Sequence, residues 1–313
     1  MQFKLTLLGT NSASPAYDRF TSAQVLELEA KSYLIDCGEG AQIRMKQFGI
    51  KKSKIDQAFI SHLHGDHING FIGFLTSLGL NDRTKPLDVF APNGLEKLLD
   101  AYNSLVGSTL PFPCRFHNLD TEQHRLIFED QYLEVFSIPL LHRVPTSGFL
   151  FREKQKPRNI KGEKIREYQI PYPDIPAIKA GEDWFDSRGR RIPNAELTTD
   201  PPRQRSFAYC SDTAYTESII PIIEGVDLLY HESTYCEDGA SLAKERGHST
   251  AREEAIIAKK AKVGKLVLGH YSSRYKTPDQ FEQEAKAVFP NSVAGADGMV
   301  VEVVSRKSIS RKS

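Results

Sequence analysis

The chain has 313 residues, 40% hydrophobic and 26% charged, the balance of an ordinary globular protein with room for one large domain or two small ones. A net charge of +1 excludes a whole-molecule field built for nucleic acid, so any such partner needs a local basic patch. No apolar run approaches the roughly 20 residues a bilayer requires, and no membrane partner is expected.

The opening MQFKLTLLGT reads as a first strand. Its apolar run is too short for a secretory signal, and no small-residue cleavage site follows. Four cysteines (Cys37, Cys114, Cys210, Cys236) include no C-x-x-C pair. Their even number permits two disulfides. With no export signal, reduced and mostly buried thiols in a cytoplasmic protein are expected.

One pattern then recurs along the chain: a short apolar strand with a polar, metal-competent residue at its end. IDQAFIS runs into His62, VFSIPLL into His142 and SFAYCS into Asp212. VDLLY runs into His231 and Glu232, and KLVLG into His270. Near-continuous apolar runs suit strands buried on both faces. Five of them delivering such residues suggest one shared edge. Between them, Ile68–Leu80 carries Ile68, Phe71, Ile72, Leu75 and Leu78 at helical spacing, and Asn93–Val106 and Thr250–Lys262 look alike. LIFEDQYLEVFSI alternates around a polar turn, as a hairpin does. The mixture predicts sheets inside and helices outside.

Residues 152–205 differ, being rich in Pro, Lys and Arg with few apolar runs. A stretch this long and weakly structured is a functional arm or lid, or is disordered; it reads as an insertion. Arg152, Lys154, Lys156, Arg158, Lys161, Lys164 and Arg166 face only Glu153 and Glu163 within 152–166, a local concentration of basic charge that is either a binding patch or the incidental charge of a solvated loop. The final SRKSISRKS is basic, polar and expected to be disordered.

The densest chemistry is HLHGDH, residues 62–67. His62 and His64 are two apart, which points both rings one way at a strand end. Gly65 permits a turn that brings Asp66 and His67 back toward them. One such stretch cannot close a metal site, so the other strand-end residues are its candidate partners. His117 and His124 are left as ordinary polar or packing residues.

HLHGDH resembles the H-x-H-x-D-H signature of the metallo-β-lactamase superfamily and matches every defined position. The resemblance implies a four-layer αββα sandwich of mixed α/β class. It implies one metal on His62, His64 and His142, a second on Asp66, His67 and His270, and Asp212 bridging both. Imidazole and carboxylate donors without cysteine suit two Zn²⁺, with Mn²⁺ or Fe²⁺ as alternatives. Asp66 then both ligates and orients the attacking hydroxide, or takes its proton.

Four further stretches narrow the family. LLGTNSASPAYDRFTSAQ, YLIDCGEGAQIRM, HEST (His231–Thr234) and AKERGHST (Ala243–Thr250) resemble the ribonuclease Z family, endonucleases that trim tRNA 3′ ends. HEST carries Ser233 where that family has alanine. The resemblance spans residues 1 to about 304, read as one catalytic domain with an arm at about 152–200 and a tail at 305–313. It implies cleavage of precursor tRNA that leaves a 3′-hydroxyl on the tRNA and a 5′-phosphate on the trailer. His248 is the candidate general acid for the leaving 3′ oxygen, with Glu232 positioning it; the alternative is that both support the metal ligands. Gly38 and Gly40 are either turn residues or points of close backbone approach.

By resemblance, the insertion is a clamp arm that grips the tRNA elbow, and in family homodimers one subunit's arm serves the other's site. The arm departs from the usual pattern: IPYPDIPAIKAG lacks the expected Gly-Pro after its prolines. A small-molecule phosphodiesterase or arylsulfatase-like hydrolase is the alternative. A basic arm is superfluous for a small substrate. A non-catalytic RNA-binding scaffold is a third reading, disfavoured by the complete ligand set.

Overall fold

A computed structural model describes residues 2–305. The chain divides into two compact units, Met1–Arg152 with Arg205 onward, and Glu153–Gln204.

The larger unit holds two seven-stranded sheets. The first contains β1 (Phe3–Gly9), β2 (Ala23–Leu28), β3 (Lys31–Cys37), β4 (Ile55–Phe59), β5 (Leu87–Ala91), β6 (Cys114–Asn118) and β18 (Val300–Glu302), in the order β18-β1-β2-β3-β4-β5-β6. The second contains β7 (Leu126–Glu129), β8 (Leu133–Pro139), β9 (Ser147–Glu153), β14 (Ser206–Cys210), β15 (Leu228–Glu232), β16 (Lys265–Gly269) and β17 (Ser292–Ala294), in the order β17-β16-β15-β14-β9-β8-β7. Strands β14 to β17 are parallel neighbours, whereas β9 runs antiparallel to β14.

Alternation along the strands decides what lies between the layers. Tyr33, Ile35 and Phe59 of the first sheet meet Phe149, Phe151, Phe207 and Tyr209 of the second. Each such side chain contributes about 1.5–3 kcal/mol through burial. Ala208 and Cys210 turn the other way and pack with Ala255, Ile257 and Ala258 of the helix Ala251–Lys260. Leu34, Ala58 and Val89 likewise pack with Phe71, Phe74 and Leu75 of the helix Phe71–Gly79. The result is helix, sheet, sheet, helix: the expected four-layer mixed α/β sandwich. The hairpin β7–β8 is formed as read. The helix expected over Ile68–Leu80 is split, with Gly65–Ile68 separate from Phe71–Gly79. Gly70 sits at the break, where a Cβ would stand 2.1 Å from the Gly38 carbonyl oxygen.

The smaller unit corrects one expectation. It is not a structureless stretch. β10 (Asn159–Ile160) pairs with β13 (Thr198–Thr199), and β11 (Trp184–Phe185) with β12 (Arg191–Ile192). Helices Gly162–Tyr168 and Ile175–Ala180 pack around Ile170, Ile178, Ile192 and Leu197. Buried Asn194 ties the ends together, its amide donating to the Ile178 and Glu182 carbonyls at 2.7 Å each. Trp184 Nε1 donates to Asp174 Oδ2 at 2.8 Å.

All four cysteines are free thiols, three of them buried. No helix among the described residues is long and apolar enough to cross a membrane. The tail expected from 305 onward lies, past Ser305, outside the described residues.

Candidate metal centre

The ends of β4, β14 and β16 and the loops after β8 and β4 converge on one edge of the larger unit. His62, His64, His142 and Asp212 form one group of potential ligand atoms, and Asp66, His67 and His270 a second. Within each, the candidate atoms lie within 4.8 Å of one another. Asp212 faces both: Oδ2 is 3.5 Å from His62 Nε2 and 3.8 Å from His142 Nε2. Its Oδ1 is 3.3 Å from His67 Nε2 and 3.2 Å from His270 Nε2.

The opposite ring nitrogen of four of these histidines is tied back. His67 Nδ1 donates to Asp36 Oδ2 at 2.8 Å, and His142 Nδ1 to the Gly247 carbonyl at 2.8 Å. Ser61 Oγ donates to Asp36 Oδ2, so it accepts from His62 Nδ1 at 3.1 Å. Thr234 Oγ1 donates to Glu232 Oε2, so it accepts from His270 Nδ1 at 2.9 Å. Each of these Nε2 atoms is thereby presented to the cluster with its lone pair, as a metal ligand must be.

The donor set fits a cation. His67 Nε2 and His270 Nε2 face each other at 3.2 Å, and His62 Nε2 faces His64 Nδ1 at 3.0 Å. Two lone pairs at such distances require a shared cation or proton between them. His142 Nε2 is buried with no hydrogen-bond partner. Burial opposes charge on Asp212, yet His270, His67 and His62 hold its carboxyl well below the usual carboxylate range.

Two strained backbones support the edge. Asp36 has φ 52° and His270 φ 62°, left-handed conformations that cost a non-glycine residue about 1–3 kcal/mol each. Gly38 makes a close backbone approach, since a Cβ there would lie 2.4 Å from both the Asp66 carbonyl oxygen and Thr21 Oγ1. Gly40 has φ 77° and opens the helix Ala41–Gln47.

Beside the cluster lies a cavity of about 470 Å³, lined among others by His64, Asp66, Asp212, His248 and His270 and by the exposed arginines Arg143, Arg246 and Arg274. His248 stands at its wall. Its Nδ1 donates to Glu232 Oε1 at 2.8 Å. Burial would lower the pKa of His248, but Glu232 first, then Asp212 and Asp66, outweigh it and push it up to about 9. Buried Glu232 is fully engaged, also accepting from the Thr213 and Thr234 amides at 2.9 Å each. The loop carrying His248 is fixed by a capping box between Thr250 and Glu253 at the start of the following helix.

Some strand-end residues fall elsewhere. His231 points to the opposite face of β15 from Glu232 and pairs with buried Glu254 at 2.7 Å. His117 pairs with Asp88 on the surface, and His124 Nδ1 donates to the Ser137 carbonyl. Asp36 escaped the sequence reading as a site residue, although YLID ends a strand in a carboxylate as the ligand strands do. The Ala13 amide, 2.7 Å from Asp66 Oδ2, was missed as well, and no side-chain pattern announces it.

The basic candidates are only partly available. Arg158 pairs with Asp200 and Lys156 with Glu153. Lys164 pairs with Glu167 and Glu196, and Lys161 donates to the Glu196 carbonyl. Lys154 is half-buried, Arg166 is exposed, and Arg152, in the larger unit, lies over the Phe136 ring.

The chain is similar to known proteins in sequence and in fold. A family model described as anti-Pycsar protein Apyc1 matches residues 3–111. The fold is shared with the metallo-beta-lactamase fold protein YhfI of Bacillus subtilis, at 21% identity and TM-score 0.68, over 96% of this chain and 100% of that one. Human tRNase Z, short form, is 25% identical with TM-score 0.70, over 96% of this chain and 99% of that one. Sequence likeness goes further. Ribonuclease Z of Parabacteroides distasonis is 44% identical over 96% of this chain and 99% of its own, and that of Porphyromonas gingivalis 42% over the same shares. With identity of that order over nearly the full length of both chains, the chain belongs to the ribonuclease Z family.

Proposed function

We propose that the protein is a metal-dependent endoribonuclease that removes 3′ trailers from precursor tRNA, leaving a 3′-hydroxyl on the tRNA and a 5′-phosphate on the trailer. The observation that carries this is the seven-residue cluster with a Glu232–His248 pair at its wall, in a chain 44% identical to the ribonuclease Z of Parabacteroides distasonis. His62, His64 and His142 would hold one Zn²⁺ and Asp66, His67 and His270 a second, with Asp212, which faces both groups, shared between them. Bound there, the ions would supply a hydroxide at neutral pH and neutralise charge on the attacked phosphate.

The chain's own residues do the rest. Asp66, fixed by the Ala13 amide, orients the nucleophile or takes its proton. Alkoxide is a poor leaving group, so the departing 3′ oxygen needs a proton. His248 has Nδ1 committed to Glu232, leaving Nε2 to deliver it. Glu232 keeps that ring charged and oriented. Arg152, Lys154, Lys156, Arg158, Lys161, Lys164 and Arg166 contribute to holding tRNA, in a cytoplasmic homodimer. Precursor tRNA carrying an end label should be cut once near the discriminator base by zinc-loaded protein and not by His64→Ala. Failure to cut, with a small phosphodiester still hydrolysed, would leave the metal chemistry and overturn the substrate.

A further inference from the structure

We propose that the Tyr209 hydroxyl is a positioning group for the metal centre: it reaches from one sheet to the other and holds the Asp36 carboxylate that fixes His67. This rests on the reading of His67 as a metal ligand. Tyr209 lies in β14, three residues before Asp212, and alternation turns it inward toward the opposing sheet while Ala208 and Cys210 face the helices. Its ring is fully buried, stacked on Tyr230 at 5.2 Å and Phe149 at 6.4 Å between centroids. Phenylalanine would satisfy that packing. A buried hydroxyl is costly unless it is bonded, so its partner matters.

That partner is Asp36 Oδ2, at 2.5 Å. The same oxygen takes Ser61 Oγ and His67 Nδ1 at 2.8 Å each, while Oδ1 takes the Ser61 amide at 2.7 Å. Ser61, Asp36 and His67 belong to the first sheet and its loops; Tyr209 alone of the four comes from the second. Burial and the adjacent Asp36 carboxylate raise the phenol well above its ordinary pKa, so it remains a donor. The candidate ligands are divided the same way. His62, His64, Asp66 and His67 follow β4, whereas His142, Asp212 and His270 follow strands of the second sheet. The Tyr209–Asp36 bond therefore fixes the aim of His67 against the strand that delivers Asp212. Without it, Asp36 keeps its local donors but loses the one that registers the sheets.

The experiment is zinc affinity of purified Tyr209→Phe by competition with a chromophoric chelator, beside unaltered protein, Tyr230→Phe and His67→Ala. Loss of a group behind a metal ligand typically costs 10–100-fold in affinity, and Tyr209→Phe should fall by about that much. The unfolding midpoint of its metal-free form should move by only a few degrees. Zinc affinity within about twofold of unaltered protein overturns the proposal. So does an equal loss in Tyr230→Phe, which would mark a general packing effect. If Tyr209→Phe fails to fold, Asp36→Asn tests the same link, and unchanged affinity there overturns it. His67→Ala separates the two failures: unaltered zinc binding in that variant would sink the ligand assignment itself.

Discussion

Replacing Glu232 by glutamine preserves the side chain's shape and removes the charge facing His248. The four bonds Glu232 accepts come from His248 Nδ1, the Thr213 amide, and the amide and hydroxyl of Thr234. Either orientation of the new amide sets an NH₂ against two of those donors. Burial alone holds the His248 pKa down, and Glu232 is the first of the groups that raise it, to about 9 from an ordinary 6.5. That difference corresponds to about 3 kcal/mol favouring the charged ring. Because the folded value is the raised one, the stabilisation is complete below about pH 6.5 and is lost as pH rises through about 9. A general acid works only while protonated, so kcat/KM should fall above about pH 9 in the unaltered protein and from nearer the ordinary value of about 6.5 in Glu232→Gln. At pH 8 the protonated fraction would drop from about 0.9 to about 0.03, a loss of about thirtyfold, with near recovery at pH 6. The assay is kcat/KM for cleavage of end-labelled precursor tRNA from pH 6 to 9.5 at fixed zinc and salt, with metal content measured in parallel. An equal loss at pH 6 and pH 8, or a descending limb that does not move, would refute the assignment of His248 as the acid held by Glu232.

Other outcomes follow from the same geometry. Asp212→Ala should lose both metals, because one oxygen faces each ligand group; full metal content by elemental analysis would refute its bridging role. Excising residues 153–205 and joining Arg152 to Ser206, which are register partners, through a two-residue turn should leave a folded core. That protein should hydrolyse a small chromogenic phosphodiester yet cleave precursor tRNA at least tenfold less efficiently, and an equal fall for both substrates would make the arm structural. Gly38→Ala should cost several kcal/mol or abolish folding, read by urea denaturation, since its Cβ would collide with the Asp66 carbonyl.

Much of the edge was legible because each ligand strand is a short apolar run that stops at a polar residue. Strands of that kind are buried on both faces, so the first polar residue past the end marks where burial stops. His231 obeyed the same pattern and went to the other side, because alternation places neighbours on opposite faces and a run of apolar residues does not say which face is which. Asp36 was hidden because a carboxylate near the end of β3 does not say what it supports; only the fold brings His67, Ser61 and Tyr209 onto it. The arm was misjudged for a different reason. Its core is made of single residues, Ile165, Ile170, Ile178, Ile192 and Leu197, separated by prolines and charges, so no window shows a period. The break at Gly70 was likewise invisible, since the apolar spacing runs through it while the backbone contact with Gly38 forbids a continuous helix.

The short ribbon β10–β13 has a consequence for how the second sheet assembles. Pairing β9 with β14 closes a loop of about 50 residues, and each doubling of loop length costs about 0.6 kcal/mol of chain entropy. Once Asn159 and Ile160 have paired with Thr199 and Thr198, the free chain left to close is only about 12 residues, a saving of about 1.2 kcal/mol. An insertion that folds on its own thus shortens the search for the strand pair it interrupts. Early local folding of the arm would then speed formation of the strand that runs into Asp212, giving the arm a part in the folding kinetics of the centre.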